Sequence, residues 1–210
     1  MISATNRFLA LGDSYTIGEG VASDERWPDQ LAQRLRADGI AIDDPQIVAT
    51  TGWSTDELAA AMDVQQFTPP YALVSLLIGV NNQYRERPLD NYRAEFVDLL
   101  ARAVALAGAR RERVIVVSIP DWGVTRFARS KGRDAARIAS EIDAFNAAAR
   151  TIAANSGIVF VDITADSRAA GDADDLLVAD GLHPSATQYA RWTALIAPFA
   201  HAALATESDG

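Results

Sequence analysis

Short apolar runs alternate along the chain with longer stretches whose apolar residues recur every three or four positions, and no linker, repeat or low-complexity segment interrupts the alternation. The runs at 7–11, 47–50, 72–78, 114–119 and 158–161 are expected to be strands. The third and fourth do not alternate with polar positions, so both of their faces should be buried. Between the runs, Trp27, Leu31 and Leu35 share one helix face. Tyr92, Phe96, Leu99, Leu100 and Val104 share a second, and Ile138, Ile142, Phe145, Ala149 and Ile152 a third. Strand and helix repeating in this way predict an α/β protein, a parallel sheet covered on both sides by helices, in one domain over residues 1–210. A last helix is expected after Pro184, opened by a capping box of Ser185 with Gln188 and running through Trp192, Leu195 and Phe199. Residues 164–179, acidic and rich in small side chains, read as a long loop with little regular structure.

Composition narrows the function classes. The 210 residues are 49% hydrophobic and 22% charged, as in an ordinary globular domain. Nineteen Lys and Arg against 28 Asp and Glu leave a net charge of −9, the wrong sign for holding nucleic acid or anionic lipid through a general field. The chain has no cysteine, which excludes disulfides and thiolate metal sites. Residues 1–6 carry no cationic stretch leading into a long apolar run, and the apolar stretches at 71–80 and 194–205 fall short of the roughly 18–20 residues of a membrane span. A soluble, cytoplasmic protein is expected.

In an open parallel sheet, ligands sit beyond the carboxyl ends of the strands, and four such places carry residues of catalytic type. They are Gly12-Asp13-Ser14-Tyr15-Thr16, Thr51-Gly52-Trp53-Ser54, Gly79-Val80-Asn81-Asn82, and Asp180-Gly181-Leu182-His183-Pro184-Ser185 ahead of the last helix. A base working near neutral pH is most often histidine, and the chain has two. His201 lies among alanines near the carboxyl terminus and reads as helix surface. His183 follows Asp180 by three residues, within reach of a carboxylate that would fix one ring nitrogen and leave the other free. The pair reads equally well as an ordinary helix start. Ser14 is the candidate nucleophile, or else a turn hydroxyl. The N–H of Ser14, the N–H of Gly52 and the amide of Asn81 are candidate donors to an oxyanion, with turn formation the alternative for the last two. Tyr15, Trp53, Tyr84 and Trp122, near strand ends, are candidates for lining a substrate pocket and equally for the core.

These blocks resemble the SGNH hydrolases, the GDSL family of esterases and lipases, in which Ser, Gly, Asn and His come from separate short blocks in this order. The first block runs from Leu9 to Gly20 and the last is Asp180-Gly181-Leu182-His183-Pro184, so the resemblance spans nearly the whole chain. It implies a three-layer α/β/α sandwich with a flavodoxin-like, five-stranded parallel sheet. It further implies Ser14 as nucleophile, His183 as base, Asp180 as its orienter, and Ser14, Gly52 and Asn81 as oxyanion donors. The implied partner is a small-molecule ester, with no cofactor and no metal. Asn82 stands where the family usually has Asp, which questions only the hydrogen bonds that hold that loop. No Gly-x-Ser-x-Gly elbow, P-loop, complete dinucleotide fingerprint or His-Glu-x-x-His is present. Asp172, Asp174 and Asp175 read as a solvated acidic loop rather than a cation site. Within the enzyme class, lysophospholipids, thioesters and acetylated sugars are alternative substrates. The rival from another class is a non-catalytic phosphate- or ligand-binding module built on the Ser14-Thr16-Gly18 loop.

Overall fold

A computed structural model describes residues 6–205 of the chain. Five parallel strands form one sheet, β1 (Phe8–Gly12), β2 (Gln46–Ala49), β3 (Leu73–Leu77), β4 (Val114–Val117) and β5 (Val159–Val161), in the order β2-β1-β3-β4-β5. Each expected strand is present, displaced by one or two residues at its ends. β1, β3 and β4 are buried at every position, whereas β5 at the sheet edge is buried only at Val161. Ser75 is the polar exception inside β3, buried with its hydroxyl unpartnered.

The helices follow the predicted periodicities. α1 (Ser14–Ile17) is a single turn, and α2 (Trp27–Ala37) buries Trp27, Leu31 and Leu35 completely. α3 (Thr55–Val64), the short α4 (Val80–Tyr84) and α5 (Leu89–Leu106) come next, then α6 (Arg126–Ser130) and α7 (Ala135–Asn155). α8 (Thr164–Ala170) and α9 (Ala186–Ala205) complete the order. α2 packs on α9, which lies over β3, β4 and β5, while α3, α5 and α7 pack together on the other face. The result is a three-layer α/β/α sandwich. None of the helices among the described residues is long and apolar enough to cross a membrane.

Two expectations near the last helix are corrected. Residues 164–170 are helical, not loop: Asp162 accepts the Thr164 N–H at 2.9 Å, and the alanine-rich turn favours helix. Its acidic residue is a partner rather than a solvated charge, since Asp166 takes Nη2 of Arg191 at 2.6 Å. The capping box at α9 is half formed. Ser185 Oγ accepts the Gln188 N–H at 3.3 Å, but the Gln188 amide donates to Asp166 at 2.6 Å instead of reaching back. Asp174 is solvent-exposed and Asp172 partly so, as a solvated acidic loop requires, and they pair at the surface with Arg126 and Arg129.

The site-forming feature is the switch between β1 and β3, where successive crossovers leave in opposite directions and open a crevice at the carboxyl edge. Gly12 ends β1 there, and a Cβ on it would stand 2.2 Å from Thr16 Oγ1 and 2.6 Å from the Leu77 carbonyl. The tight exit therefore needs glycine. Gly12→Ala should lower the unfolding free energy by about 3 kcal/mol, the upper end for overpacking, because a backbone carbonyl cannot swing aside as a side chain can. Urea denaturation checks this, and an unchanged midpoint would mean the contact relaxes freely.

Candidate active site

The chain turns from β1 into α1 within two residues. Asp13 caps the turn, its Oδ1 accepting the Tyr15 N–H at 3.0 Å and its carbonyl the Thr16 and Ile17 N–H groups at 3.0 and 2.9 Å. Ser14 is thereby the first residue of the helix, where a backbone N–H has no intrahelical acceptor. Among the described residues, the Ser14 N–H has no acceptor, and the same holds for Gly52 after β2. Gly52 adopts φ 88°, which glycine tolerates. Its carbonyl accepts Arg85 Nη2 at 2.7 Å, and the next carbonyl, of Trp53, accepts Asn81 Nδ2 at 2.9 Å. Asn81 keeps its second amide hydrogen. Three donors are thus held by neighbouring groups without being satisfied by them, and unsatisfied donors grouped at one place point to a bound acceptor.

Asn82 answers the question raised by its departure from the family pattern. Its Oδ1 accepts the Thr55 N–H at 3.1 Å and its Nδ2 donates to Thr55 Oγ1 at 2.6 Å. Thr55 in turn donates its hydroxyl to the Glu95 carboxylate. A carboxylate at 82 could accept but not donate, and would add a negative charge close to that of Glu95; the neutral amide suits a fully buried position better. Ser54 and Glu57 form a capping box at the same helix start, a signal readable in the sequence.

His183 lies in a turn closed by bonds between Val178 and His183 (2.9 Å) and between Gly181 and Val178 (3.0 Å). Asp180 Oδ1 accepts the backbone N–H groups of Leu182 (2.7 Å) and His183 (3.0 Å), which aims Oδ2 at the ring: it stands 2.6 Å from Nδ1. Burial pushes the Asp180 carboxyl up, but these three bonds outweigh it and hold the group below its ordinary value. The ring is also packed against Tyr15, with centroids 5.6 Å apart. With Nδ1 fixed, Nε2 is the free nitrogen. Ser14 and His183 share the wall of one cavity without a direct hydrogen bond between them, a looseness common at unliganded sites.

That cavity, of about 230 Å³, brings Ser14, Gly52, Asn81 and His183 together and is otherwise mainly apolar. Tyr15, Tyr84 and Trp122 line it. Trp53 does not; it packs partly buried against the core. His201 lies apart on α9, with Nε2 2.9 Å from Asp38 Oδ2. Phe127, Leu182, Val80 and Thr51 also line the cavity and were not anticipated. Phe127 belongs to α6 and reaches the site by packing on Trp122, a tertiary contact with no local motif.

A family model described as the GDSL-like Lipase/Acylhydrolase family matches residues 10–191. No curated protein sequence matches the chain. Among solved structures, the lipase/acylhydrolase from Enterococcus faecalis is 21% identical, with 92% of this chain and 94% of that one covered and a TM-score of 0.69. An acetyl xylan esterase from Geobacillus stearothermophilus is 18% identical (93% and 94% covered, TM-score 0.70). Phospholipase A1 from Streptomyces albidoflavus NA297 is 21% identical (93% and 98% covered, TM-score 0.64). At these identities the likeness shows a shared fold.

Asp13 gives the site a pH signature. The carboxyl is fully buried with Oδ2 unpartnered, and burial pushes its pKa up to about 7 from 3.8, the Tyr15 N–H pulling the other way. Between those two values the unfolded chain has released a proton that the folded chain still holds, so this group makes stability fall as pH rises, down to a plateau above about 7. Asp13→Asn keeps the acceptor for Tyr15 and removes the titration. It should match the wild type near pH 4 and be more stable at pH 8 by about 2–4 kcal/mol, measured by urea unfolding across that range. A variant less stable at pH 8 would mean the carboxylate is stabilised in the fold.

Proposed function

Because the chain belongs to the GDSL-like lipase/acylhydrolase family, we propose that it hydrolyses carboxylic esters in two steps through an acyl-enzyme on Ser14. Ser14 Oγ attacks the ester carbonyl carbon while His183 Nε2 takes the hydroxyl proton. The N–H groups of Ser14 and Gly52 and the free Asn81 amide hydrogen donate to the oxyanion that forms. Collapse expels the alcohol, which leaves with the proton from His183. Water then repeats the sequence on the acyl-enzyme and releases the acid. Asp180 holds the imidazole in the tautomer this cycle requires and stabilises the imidazolium that appears within it.

The observation that carries this reading is the convergence of Ser14, Gly52, Asn81 and His183 on one cavity, with the far ring nitrogen taken by Asp180 at 2.6 Å. The apolar lining favours an ester with a short acyl or aromatic group beside the reacting carbonyl. A phosphate-binding module fits less well, since none of the lining residues is Lys or Arg. The neighbours named above act on acetylated xylan and on phospholipid; for this chain both remain members of one class, esters whose carbonyl can enter so small a cavity.

Ser14→Ala should abolish labelling by a fluorophosphonate and lower p-nitrophenyl acetate turnover by a factor on the order of 10⁴ or more, with the circular dichroism spectrum unchanged. Turnover near the wild-type rate would refute the acyl-enzyme. Asn81→Ala should lower kcat on the order of 10²–10³-fold, as loss of one oxyanion donor does, with a smaller change in KM. An effect confined to KM would assign Asn81 to substrate binding instead.

A further inference from the structure

The segment from Arg126 to Arg137 holds five of the chain's nineteen basic residues, among them Lys131, the chain's single lysine. Three of the five are neutralised: Arg126 by Asp174, Arg129 by Asp172, and Arg137 by Glu86 and Glu141 at 3.2 and 2.7 Å. Lys131 and Arg133 are exposed and have no ion-pair partner among the described residues. Both sit on the aromatic wall of the cavity. The Arg133 guanidinium carbon lies 5.4 Å from the Tyr84 ring centroid and 5.5 Å from that of Trp122, and Lys131 Nζ lies 5.7 Å from that of Phe127.

Stacking holds the Arg133 guanidinium by its face while its N–H groups stay free at the edge, and the Lys131 ammonium rests on the Phe127 ring with donors left for another acceptor. Arg133 also lines a second, polar cavity next to the first. The carboxylates there are occupied: Glu86 and Glu141 by Arg137, and Asp134 by the N–H groups of Ala136 and Arg137 at the start of α7. In a protein of net charge −9 the general field repels anions, so two cations without an ion-pair contact beside the site, Arg133 sharing only the longer-range field of Glu141, are a local exception.

We propose that the substrate carries an anionic group, carboxylate or phosphate, on the part that extends past Tyr84 and Phe127, and that Lys131 and Arg133 bind it. This rests on the esterase reading, which supplies the ester end at Ser14. The apolar cavity holds the groups next to the carbonyl, and the charge lies outside it, beyond the aromatic wall. The two cations are specificity-determining and take no part in proton transfer.

The test compares matched esters at low ionic strength. Phenyl acetate is set against 4-acetoxybenzoate and 4-acetoxyphenyl phosphate, which places a carboxylate or a phosphate on the alcohol side. p-Nitrophenyl hexanoate is set against mono-p-nitrophenyl adipate, which places the charge on the acyl side. In at least one pair, the ratio of kcat/KM for the anionic to the neutral ester should be about tenfold higher in the wild type than in the Lys131→Gln, Arg133→Gln double variant. The pair in which this occurs identifies the side and kind of anion. About 0.5 M NaCl should erase most of the difference, since both cations are exposed to solvent. Arg150→Gln, on α7 and outside the cavity lining, should keep the wild-type ratio, and fluorophosphonate labelling of Ser14 reports that each variant is folded. Equal ratios in wild type and double variant for every pair, with the neutral esters turned over, would overturn the anion site and leave the esterase standing. No turnover of any ester and no label on Ser14 would overturn both.

Discussion

A parallel sheet releases every strand at the same edge, and this site depends on what that does to hydrogen bonding. Inside the sheet the ladder satisfies the backbone; one residue beyond it, nothing local does. After β1 the chain passes directly into α1, whose first N–H groups have no intrahelical acceptor, and after β2 a glycine with positive φ turns its N–H out of the turn it closes. The two N–H groups lie just beyond strands that are neighbours in the sheet, paired from Leu9 with Gln46 to Gly12 with Ala49. Strand register brings the two turns together, and side-chain contacts beyond the strand ends hold them there. On the proposed oxyanion role, donors placed in this way would need no reorganisation when charge develops.

Holding those donors still is the task of a polar layer that touches no substrate. Arg85 grips the Gly52 carbonyl with one nitrogen and Glu57 with another at 2.8 Å, so the carbonyl that follows the Gly52 N–H is held by a guanidinium itself fixed by an ion pair. Asn81 fixes the next carbonyl, and Asn82 ties the same loop to the start of α3 through Thr55. Buried polar groups are an asset only when nearly all are satisfied. Asp13 departs from that, as do Thr16 and Ser75, whose buried hydroxyls are unpartnered: burial pushes the Asp13 carboxyl up, yet the residue caps the turn that carries Ser14. Stability and site geometry are opposed at that residue.

How much of this could be read from the sequence follows from the range of the interactions. The strands were legible because burial on both faces demands uninterrupted apolar residues, and their ends were blurred because a strand stops where its partner stops, which is a neighbour's property. That Ser14, Asn81 and His183 would meet at one crevice, with Asp180 against the ring, was legible because each follows a strand or precedes a helix in a short block. Residues 164–170 were misread because acidic residues look like a solvated loop until the arginine that binds Asp166 is known, and Arg191 lies 25 positions away. Trp53 lies just beyond a strand end, but adjacent residues in a turn point in different directions, and it packs on the core. Arg85, Phe127 and Arg133 carry no motif at all; each acts across an interface between elements.

The site accordingly divides into two parts with different origins. The reacting end is built from strand termini, where geometry comes from the sheet and tolerates wide change in surrounding sequence. That fits a fold shared at 18–21% identity with proteins whose names specify different esters. The other end is built from α4, the 3-10 turn at Trp122–Val124 and α6, short elements joined by rings packed edge to face, Tyr84 on Trp122 at 5.2 Å and Trp122 on Phe127 at 6.4 Å. Trp122 is anchored from below by the bond from its Nε1 to Gln83 at 2.7 Å, and Gln83 by Glu141 of α7 at 2.7 Å. Substitutions along this second wall can change what is bound without moving a strand, so the chemistry and the choice of substrate are physically separable here. On the proposed reading, a charge placed on the second wall would act on the bound molecule's far end, while Ser14 and Gly52, carried just beyond strand ends, keep their places.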